Sequence, residues 1–160
     1  MTSIAACLWF DRQAEEAANF YAALFPDSRV DHVQRSPADY PNGKAGDAIL
    51  VAFTLCGSAF QGLNGGPNVP FTQAVSFAIE CEDQTEVDRY WEALTADGGE
   101  PVACGWCKDR FGLSWQVVPK RMIELLADPD PGRARRAMEA MMGMVKLDVA
   151  ALERAADGAG

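Results

Sequence analysis

The sequence contains two copies of one structural unit, and this internal repeat constrains the fold more than any other feature. Residues 13–25 align with residues 83–95 at an offset of 70, and both stretches place apolar side chains at helical spacing. A second pair of segments, GSAFQ at 57–61 and GLSWQ at 112–116, recurs in the same order at an offset of 55. Two pairs of similar segments that occur in the same order indicate a duplication.

Each copy starts with an apolar stretch of strand character, continues into a helix and ends in further strands. For the first copy, the pattern predicts strands near residues 3–10, 29–35, 47–56 and 58–64, with a helix at 13–25. For the second copy, it predicts strands near 73–81, 101–107 and 113–118, with a helix at 84–97. Asp109 to Gly112 form a predicted hairpin turn, and Asp109 is expected at the surface.

The pattern becomes helical beyond Pro119, and Pro131 is suited to a helix start. The predicted fold class is therefore α+β, with two βαβββ units and a C-terminal helical tail. We expect one domain at 1–127, made of units 1–66 and 71–119, and a tail at 128–160. An apolar tail face, which would cover the sheet or a second subunit, is formed by Met138, Met141, Met142 and Val145.

Charge and composition exclude several classes of partner. The net charge of −9 makes nucleic acid and anionic membranes poor partners. No apolar run approaches the roughly 20 residues of a membrane helix, and the first residues lack the pattern of a secretory signal. We therefore expect a cytoplasmic protein whose five cysteines are buried free thiols.

Four longer segments carry a resemblance to a known family. They are CLWFDRQAEEAANFYAALFPDS (7–28), FQGLNGGP (60–67), FAIECEDQTEVDRYWEAL (77–94) and CGWCKDRFGLSWQVVP (104–119). In these segments the chain resembles the vicinal oxygen chelate superfamily of glyoxalases, extradiol dioxygenases and bleomycin-resistance proteins, and within it the PhnB-like, demethylubiquinone-methyltransferase-like subgroup. The tail at 128–155 is similar to that subgroup too. The resemblance implies mixed sheets curled around a cleft, and a homodimer.

The resemblance also implies where a catalytic metal would bind. Enzymes of the superfamily chelate a divalent ion through His and Glu on the first and last strands of each unit. In this chain those positions fall near Ala6, near Ala74 or Ser76, and on Gln61 and Gln116. Aliphatic, hydroxyl and amide groups are poor substitutes for imidazole and carboxylate, and the single histidine, His32, lies on a predicted outer strand. We expect no chelated metal and no cofactor.

The two glutamines nevertheless suggest a binding site. Gln61 and Gln116 occupy equivalent places in the duplication, where paired amides would orient a small polar ligand. The alternative is that the two glutamines satisfy each other in the core. Because side chains alternate along a strand, Phe60 and Trp115 should pack under the helices. The predicted ligand-binding set is Trp9, Gln61, Asn64, Trp106 and Gln116, and no catalytic residue is predicted.

Two other motifs are weaker. Cys104 and Cys107 form a C-x-x-C sequence, but a strand directs positions i and i+3 to opposite sides, which disfavours redox or zinc chemistry. The segment Asn64-Gly65-Gly66-Pro67 leads into another strand and not into a helix, so no site for a nucleotide-type methyl donor is predicted. A methyltransferase activity is correspondingly disfavoured.

The leading functional hypothesis is a protein that binds a small, partly apolar molecule in a metal-free cleft. Whether the chain is an enzyme stays open at this stage. One alternative is a metal-dependent lyase, isomerase or dioxygenase, or a metal-free variant of such an enzyme. Another is a dimeric interaction scaffold that uses the methionine-rich tail and has a vestigial cleft.

Overall fold

The structure is a computed structural model that describes residues 1–159. The chain divides into unit 1, Met1–Phe71, and unit 2, which begins at Thr72. Unit 1 contains β1 (Ala6–Phe10), α1 (Ala14–Leu24), β2 (Arg29–Arg35), β3 (Ala48–Leu55) and β4 (Ser58–Asn64). Unit 2 contains β5 (Ser76–Cys81), α2 (Gln84–Thr95), β6 (Glu100–Pro101), β7 (Trp106–Lys108), β8 (Ser114–Pro119), α3 (Lys120–Leu126), α4 (Pro131–Met142) and α5 (Val149–Ala156).

The two units repeat one topology, which confirms the predicted α+β fold of duplicated units. The strand order is β1-β4-β3-β2 in unit 1 and β5-β8-β7-β6 in unit 2. In each unit the first strand pairs in parallel with the last, and the other pairs are antiparallel. The helix after the first strand carries the chain to the far edge of the sheet, and the remaining strands return to the first.

Unit 1 has a core between α1 and one face of its sheet. Tyr21 of α1 is fully buried, with its ring 6.3 Å from that of Phe53, and Phe53 stacks on Phe60 at 5.5 Å. Gly62 lies where the helix comes closest, since a Cβ there would stand 3.1 Å from the Cβ of Ala14. Phe60 therefore packs on the helix side of the sheet, as the alternation predicts.

Unit 2 places α2 against the equivalent face. The Asp83 carboxylate accepts from the backbone N–H of Glu86 at 3.0 Å and caps the helix. The buried side chains of α2 are Val87, Tyr90, Trp91 and Leu94, which have the helical spacing that the sequence predicts for this stretch. The helix packs on β5, β7 and β8.

One predicted strand is wrong. The stretch 101–107 contains two short strands, β6 and β7, because the backbone between them is not extended. Cys104 has φ 58° and Gly105 has φ 80°, both in the left-handed region. Two other predicted strands, at 3–10 and 73–81, begin three residues later than expected, at Ala6 and Ser76.

The chain beyond Pro119 is helical, as predicted, and Pro131 occupies the start of α4. The three helices enclose a small core of their own. Its buried members are Met122, Leu125, Ala137, Leu147, Leu152 and Ala156. Among residues 1–159, none of the helices is both long and apolar enough to cross a membrane. The predicted boundary between a domain at 1–127 and a tail at 128–160 stays a prediction.

Candidate binding faces

The sheet of unit 1 has one face turned away from α1, which we call open face 1. The strand register places Cys7 and Ala52 on either side of Gln61, with His32 beyond Ala52. A parallel row on the same face contains Trp9, Leu63, Leu50 and Gln34. This face combines an indole and aliphatic groups with a half-buried amide, which suits a partly apolar ligand.

Trp9 is fixed by the glycine pair that follows β4. Its indole Nε1 donates to the Gly66 carbonyl oxygen at 2.9 Å. A Cβ on Gly65 would stand 2.3 Å from the indole ring, so only glycine fits there. Gly65 is thus explained by the packing of Trp9, whereas Gly66 has φ 104° and a Cβ there would stand 2.6 Å from Asn42 Nδ2.

Asn64 has both ends of its amide engaged within unit 1. Its Oδ1 accepts from the backbone N–H of Ala14 at 2.9 Å, and its Nδ2 donates to the Ala48 carbonyl at 2.9 Å. Gln13 precedes α1 without capping it through its side chain, so Asn64 supplies the cap from a neighbouring strand. Asn64 therefore holds α1 and β3 against β4.

Gln61 differs from Asn64 in this respect. Its side chain is half-buried and makes no hydrogen bond with any residue that the structure describes. An amide carries two donors and an acceptor, and half-buried polar groups usually find partners. Gln61 is therefore available to a ligand or to water.

Unit 2 has a corresponding face turned away from α2, which we call open face 2. Gln116 lies in register with Trp106 on one side and Ala78 on the other. Its Nε2 donates to Ser76 Oγ at 2.9 Å. Trp106 is half-buried and shares this face with Gln116.

Ser114 adds a polar group that sequence reasoning missed as a binding residue. It lies in register with Ser76 and is 1% exposed, and its Oγ has no hydrogen-bonding partner among residues 1–159. The alternation along β8 places it on the same face as Gln116. The resemblance implies only a metal position near Ser76, and not a ligand contact. The pairing of β5 with β8 in parallel, which a single sequence does not display, brings the three side chains together.

The opposite side of unit 2 is a core in which Asp109 is the buried charge. The expectation that Asp109 lies at the surface is wrong, since it is 2% exposed. Its carboxylate accepts from the backbone N–H groups of Phe111 and Leu113 and from Trp115 Nε1, at 2.9, 3.0 and 2.8 Å. Trp115 is 3% exposed and packs on the helix side, as predicted.

The expectation that all five cysteines are buried is wrong, because Cys7 and Cys56 lie on the exposed surface. The C-x-x-C residues do not form a pair on one strand. Cys104 lies in the turn before β7, while Cys107 is buried in β7 on the helix side. Burial raises the pKa of the Cys107 thiol to about 12, and nearby Asp109 adds to the effect. A thiol of this kind is unreactive at neutral pH.

The donors at the family's metal positions do not fit a chelated transition metal. Cys7, rather than Ala6, is the β1 side chain beside Gln61, because Ala6 pairs with Phe60 on the helix side. At these positions open face 1 offers an amide and a thiol, and open face 2 offers an amide and two hydroxyls, where such metals prefer imidazole and carboxylate. His32 lies on open face 1, but on β2, two strands away from Gln61. No group of three His, Cys, Asp or Glu side chains that could hold a metal occurs within residues 1–159.

Comparison with known proteins now places this architecture. The family model for 3-demethylubiquinone-9 3-methyltransferase matches residues 2–118, which is most of the chain. The chain belongs to this family. The PhnB protein from Bacillus cereus has a solved structure that is 32% identical, covering 74% of this chain and 99% of its own, with a TM-score of 0.67. The predicted membership of the PhnB-like subgroup is confirmed.

A more distant structure also shares the fold of the family. Protein PA1353 from Pseudomonas aeruginosa is 18% identical, covering 74% of this chain and 98% of its own, with a TM-score of 0.60. A glyoxylase/bleomycin resistance protein/dioxygenase domain from Frankia sp. is 12% identical over 74% of this chain and 92% of its own, with a TM-score of 0.47. No match was found among curated proteins. The family match ends at residue 118, so the similarity of the tail to the subgroup stays a prediction.

Proposed function

We propose that this member of the PhnB-like family binds a small, neutral, partly apolar molecule without a chelated metal. The observation that carries the proposal is hydrogen-bonding capacity left unused beside a tryptophan. On open face 2, the buried Ser114 hydroxyl has no partner among the described residues, and it lies next to Ser76 and Gln116. Buried polar groups need partners, and because the Ser114 oxygen is closed to the surface, a water bound together with the ligand would supply its partner.

The chemistry of open face 2 defines the ligand further. Gln116 uses its amide nitrogen on Ser76, which leaves its carbonyl oxygen to accept and the Ser76 hydroxyl to donate. The charged groups nearby are paired, since Lys108 contacts Glu100 at 3.7 Å and Glu80 contacts Lys120 at 3.9 Å. The ligand expected here is uncharged, with a donor and an acceptor for these groups and a flat apolar part for Trp106.

Open face 1 would contribute in the same manner. Gln61 offers its whole amide, and Trp9 with its aliphatic row offers apolar surface. We assign Asn64 a positioning role in place of the predicted ligand contact, because its amide already holds α1 and β3. Methyl transfer is not part of the proposal, since Gly65 makes room for Trp9 and the segment after β4 leads to β5 and not into a helix that could bind a cofactor phosphate.

We also propose a cytoplasmic homodimer. The feature that favours a second subunit is apolar surface at the end of α4 and beyond it. Met138, Met142 and Val145 are 45%, 55% and 51% exposed. Sedimentation over a range of concentrations would test this, with Met138→Lys and Met142→Lys expected to give monomer. A wild-type monomer at every concentration would refute the dimer.

The binding proposal is tested by a fragment screen detected by NMR, followed by titration of the hits into variants. Gln116→Ala is expected to weaken binding about tenfold, equivalent to about 1.4 kcal/mol. Gln61→Ala is examined separately and in combination. Gln73→Ala is the matched control, because Gln73 is exposed and has no hydrogen bond with residues 1–159. Equal affinities for Gln116→Ala and Gln73→Ala would contradict the proposal.

A further inference from the structure

A short segment of the tail contacts the turn that precedes Trp106. We call residues 144–147, which follow α4, the strap. The backbone N–H of Cys104 donates to the Met144 carbonyl at 2.8 Å, and that of Gly105 donates to the Val145 carbonyl at 2.8 Å. Two successive amides of the turn are thus bound by two successive carbonyls of the strap.

The turn itself has an unusual backbone. Cys104 has φ 58° and Gly105 has φ 80°, and the inner side is closed by a bond from the Trp106 N–H to the Ala103 carbonyl at 3.1 Å. A residue other than glycine in the left-handed region is held there by its surroundings. The bonds from the strap fix the two N–H groups of this turn, while the Gly105 carbonyl accepts from the Val117 N–H of β8 at 2.8 Å.

Leu147 locks the strap against the turn. It is fully buried, and a Cβ on Gly105 would stand 2.8 Å from its Cδ1. Gly105 is therefore needed both for its positive φ and for the approach of Leu147. The same leucine belongs to the core of the tail helices, so the turn is tied to that core.

Helix α2 holds the strap from its other end. Gln84 Nε2 donates to the Leu147 carbonyl at 3.1 Å, and Gln84 Oε1 accepts from the Val149 N–H at 2.8 Å. Lys146 pairs with Asp88 at 2.7 Å. The strap is thus bound both to α2 and to the turn beside open face 2.

We propose that the strap is a positioning element for Trp106, and that Leu147 and Gln84 are positioning residues for ligand binding on open face 2. By fixing the turn immediately before β7, the strap keeps the Trp106 indole beside Gln116. The inference rests on the proposed function of that face. It assigns the tail, which lies beyond the family match ending at 118, a role in the affinity of the site.

The test uses the full chain with Leu147→Ala and, as the matched control, Leu152→Ala. Leu152 is equally buried in the same tail core and lies in α5. Hydrogen exchange of the Cys104 and Gly105 amides is measured together with the affinity for a fragment found with the wild-type protein. Leu147→Ala is expected to speed exchange of both amides about tenfold more than Leu152→Ala, and to weaken binding about fivefold more.

Gln84→Ala gives a milder second variant if Leu147→Ala does not fold. It removes the bonds that Gln84 makes to Leu147 at the end of the strap and to Val149 just after it, and it should move both readouts in the same direction, with Gln73→Ala unchanged. Equal effects of Leu147→Ala and Leu152→Ala on exchange would overturn the strap. Faster exchange with unaltered affinity would also overturn the positioning role of the strap. If Gln116→Ala still weakens binding in that case, the proposed binding function stands without the strap. Failure of the Gln116→Ala variant to weaken binding would instead reject the function itself.

Discussion

At the scale of single residues, Asp109 shows how a buried carboxyl group in unit 2 is stabilised by hydrogen bonds. Its two carboxylate oxygens accept from two backbone amides of the hairpin and from the Trp115 indole. Ser114, five residues further on, is as deeply buried and has no such partner among the described residues. The Asp109 carboxylate is thus satisfied within the fold, whereas the Ser114 hydroxyl has hydrogen-bonding capacity that the described residues do not use.

Asp109→Ala is expected to lower the free energy of unfolding by at least about 2 kcal/mol, because three donors lose their acceptor in a buried hairpin. Urea denaturation followed by fluorescence would measure the change. Asp11→Ala, at an exposed position, serves as the control and should lie within about 0.5 kcal/mol of wild type. A similar small effect for Asp109→Ala would show that the hairpin does not depend on the carboxylate.

The buried thiols give a prediction with a defined pH dependence. Burial raises the pKa of Cys81 and of Cys107 from 9.0 to about 12. The folded state therefore keeps these protons at pH values where the unfolded state has lost them. Stability should be unaffected by the two thiols below pH 9 and should fall as the pH rises from 9 towards 12.

The measurement is the urea midpoint between pH 8 and pH 11, for wild type and for the double variant Cys81→Ala/Cys107→Ala. The wild-type midpoint should fall more steeply above pH 9 than that of the double variant. Iodoacetamide at pH 8.5 should modify the exposed Cys7 and Cys56 and leave Cys81 and Cys107 unmodified. Parallel pH profiles, or modification of Cys107 in the folded protein, would contradict the raised pKa values.

At the scale of elements, helix α1 illustrates stabilisation from a distant part of the chain. Its own N-cap residue, Gln13, makes no side-chain hydrogen bond, and Asn64 at the end of β4 accepts from its first turn instead. The strand and the helix therefore stabilise each other. Sequence reasoning treated Asn64 as a ligand contact because the partner is 50 residues away.

Asn64→Ala is expected to destabilise unit 1 by about 1–2 kcal/mol, as the loss of a helix cap and a second buried bond requires. Asn19→Ala provides the control, because the Asn19 side chain bonds only the exposed carbonyl of Glu15. Thermal and urea unfolding would compare the two. A loss of ligand affinity in Asn64→Ala without a loss of stability would return Asn64 to the binding residues.

Elements with a clear hydrophobic period were predictable from the sequence. Helix α2 was, because its buried side chains recur at helical spacing and Asp83 supplies a cap. The break between β6 and β7 was not predictable, because it depends on Cys104 adopting a left-handed backbone. Cysteine has no preference for this conformation, so its position in the sequence gives no signal. The site was predictable only in part. The alternation of side chains along β8 predicted that Gln116 faces away from α2, as it does. Its neighbours Ser76 and Ser114 could not be predicted, because they depend on the register between β5 and β8.

At the scale of the whole molecule, the two units repeat one topology while their open faces carry different polar groups. Open face 1 offers Cys7 and Gln61, and open face 2 offers Ser76, Ser114 and Gln116. The repeat places an amide, Gln61 or Gln116, at the equivalent position of each unit. We therefore attribute binding to amides, hydroxyls and indoles.

The metal content of the protein follows from this donor set. Protein purified without chelator or affinity metal is expected to contain no near-stoichiometric Mn, Fe, Ni or Zn by elemental mass spectrometry. A bound ion would stabilise the folded state and raise the melting temperature. Addition of these ions should therefore leave the melting temperature unchanged. Near-stoichiometric metal would restore the alternative of a metal-dependent lyase, isomerase or dioxygenase.

The central claim is that the open faces bind a small neutral molecule without a metal. Its most direct test follows the side-chain amide signals of Gln61 and Gln116 and the indole signal of Trp106 by NMR in chelator-treated protein, as a fragment library is added. We expect some fragments to bind and shift these signals with no metal present. Hits that shift only signals elsewhere, or binding that returns only when Mn, Fe, Ni or Zn is restored, would contradict it.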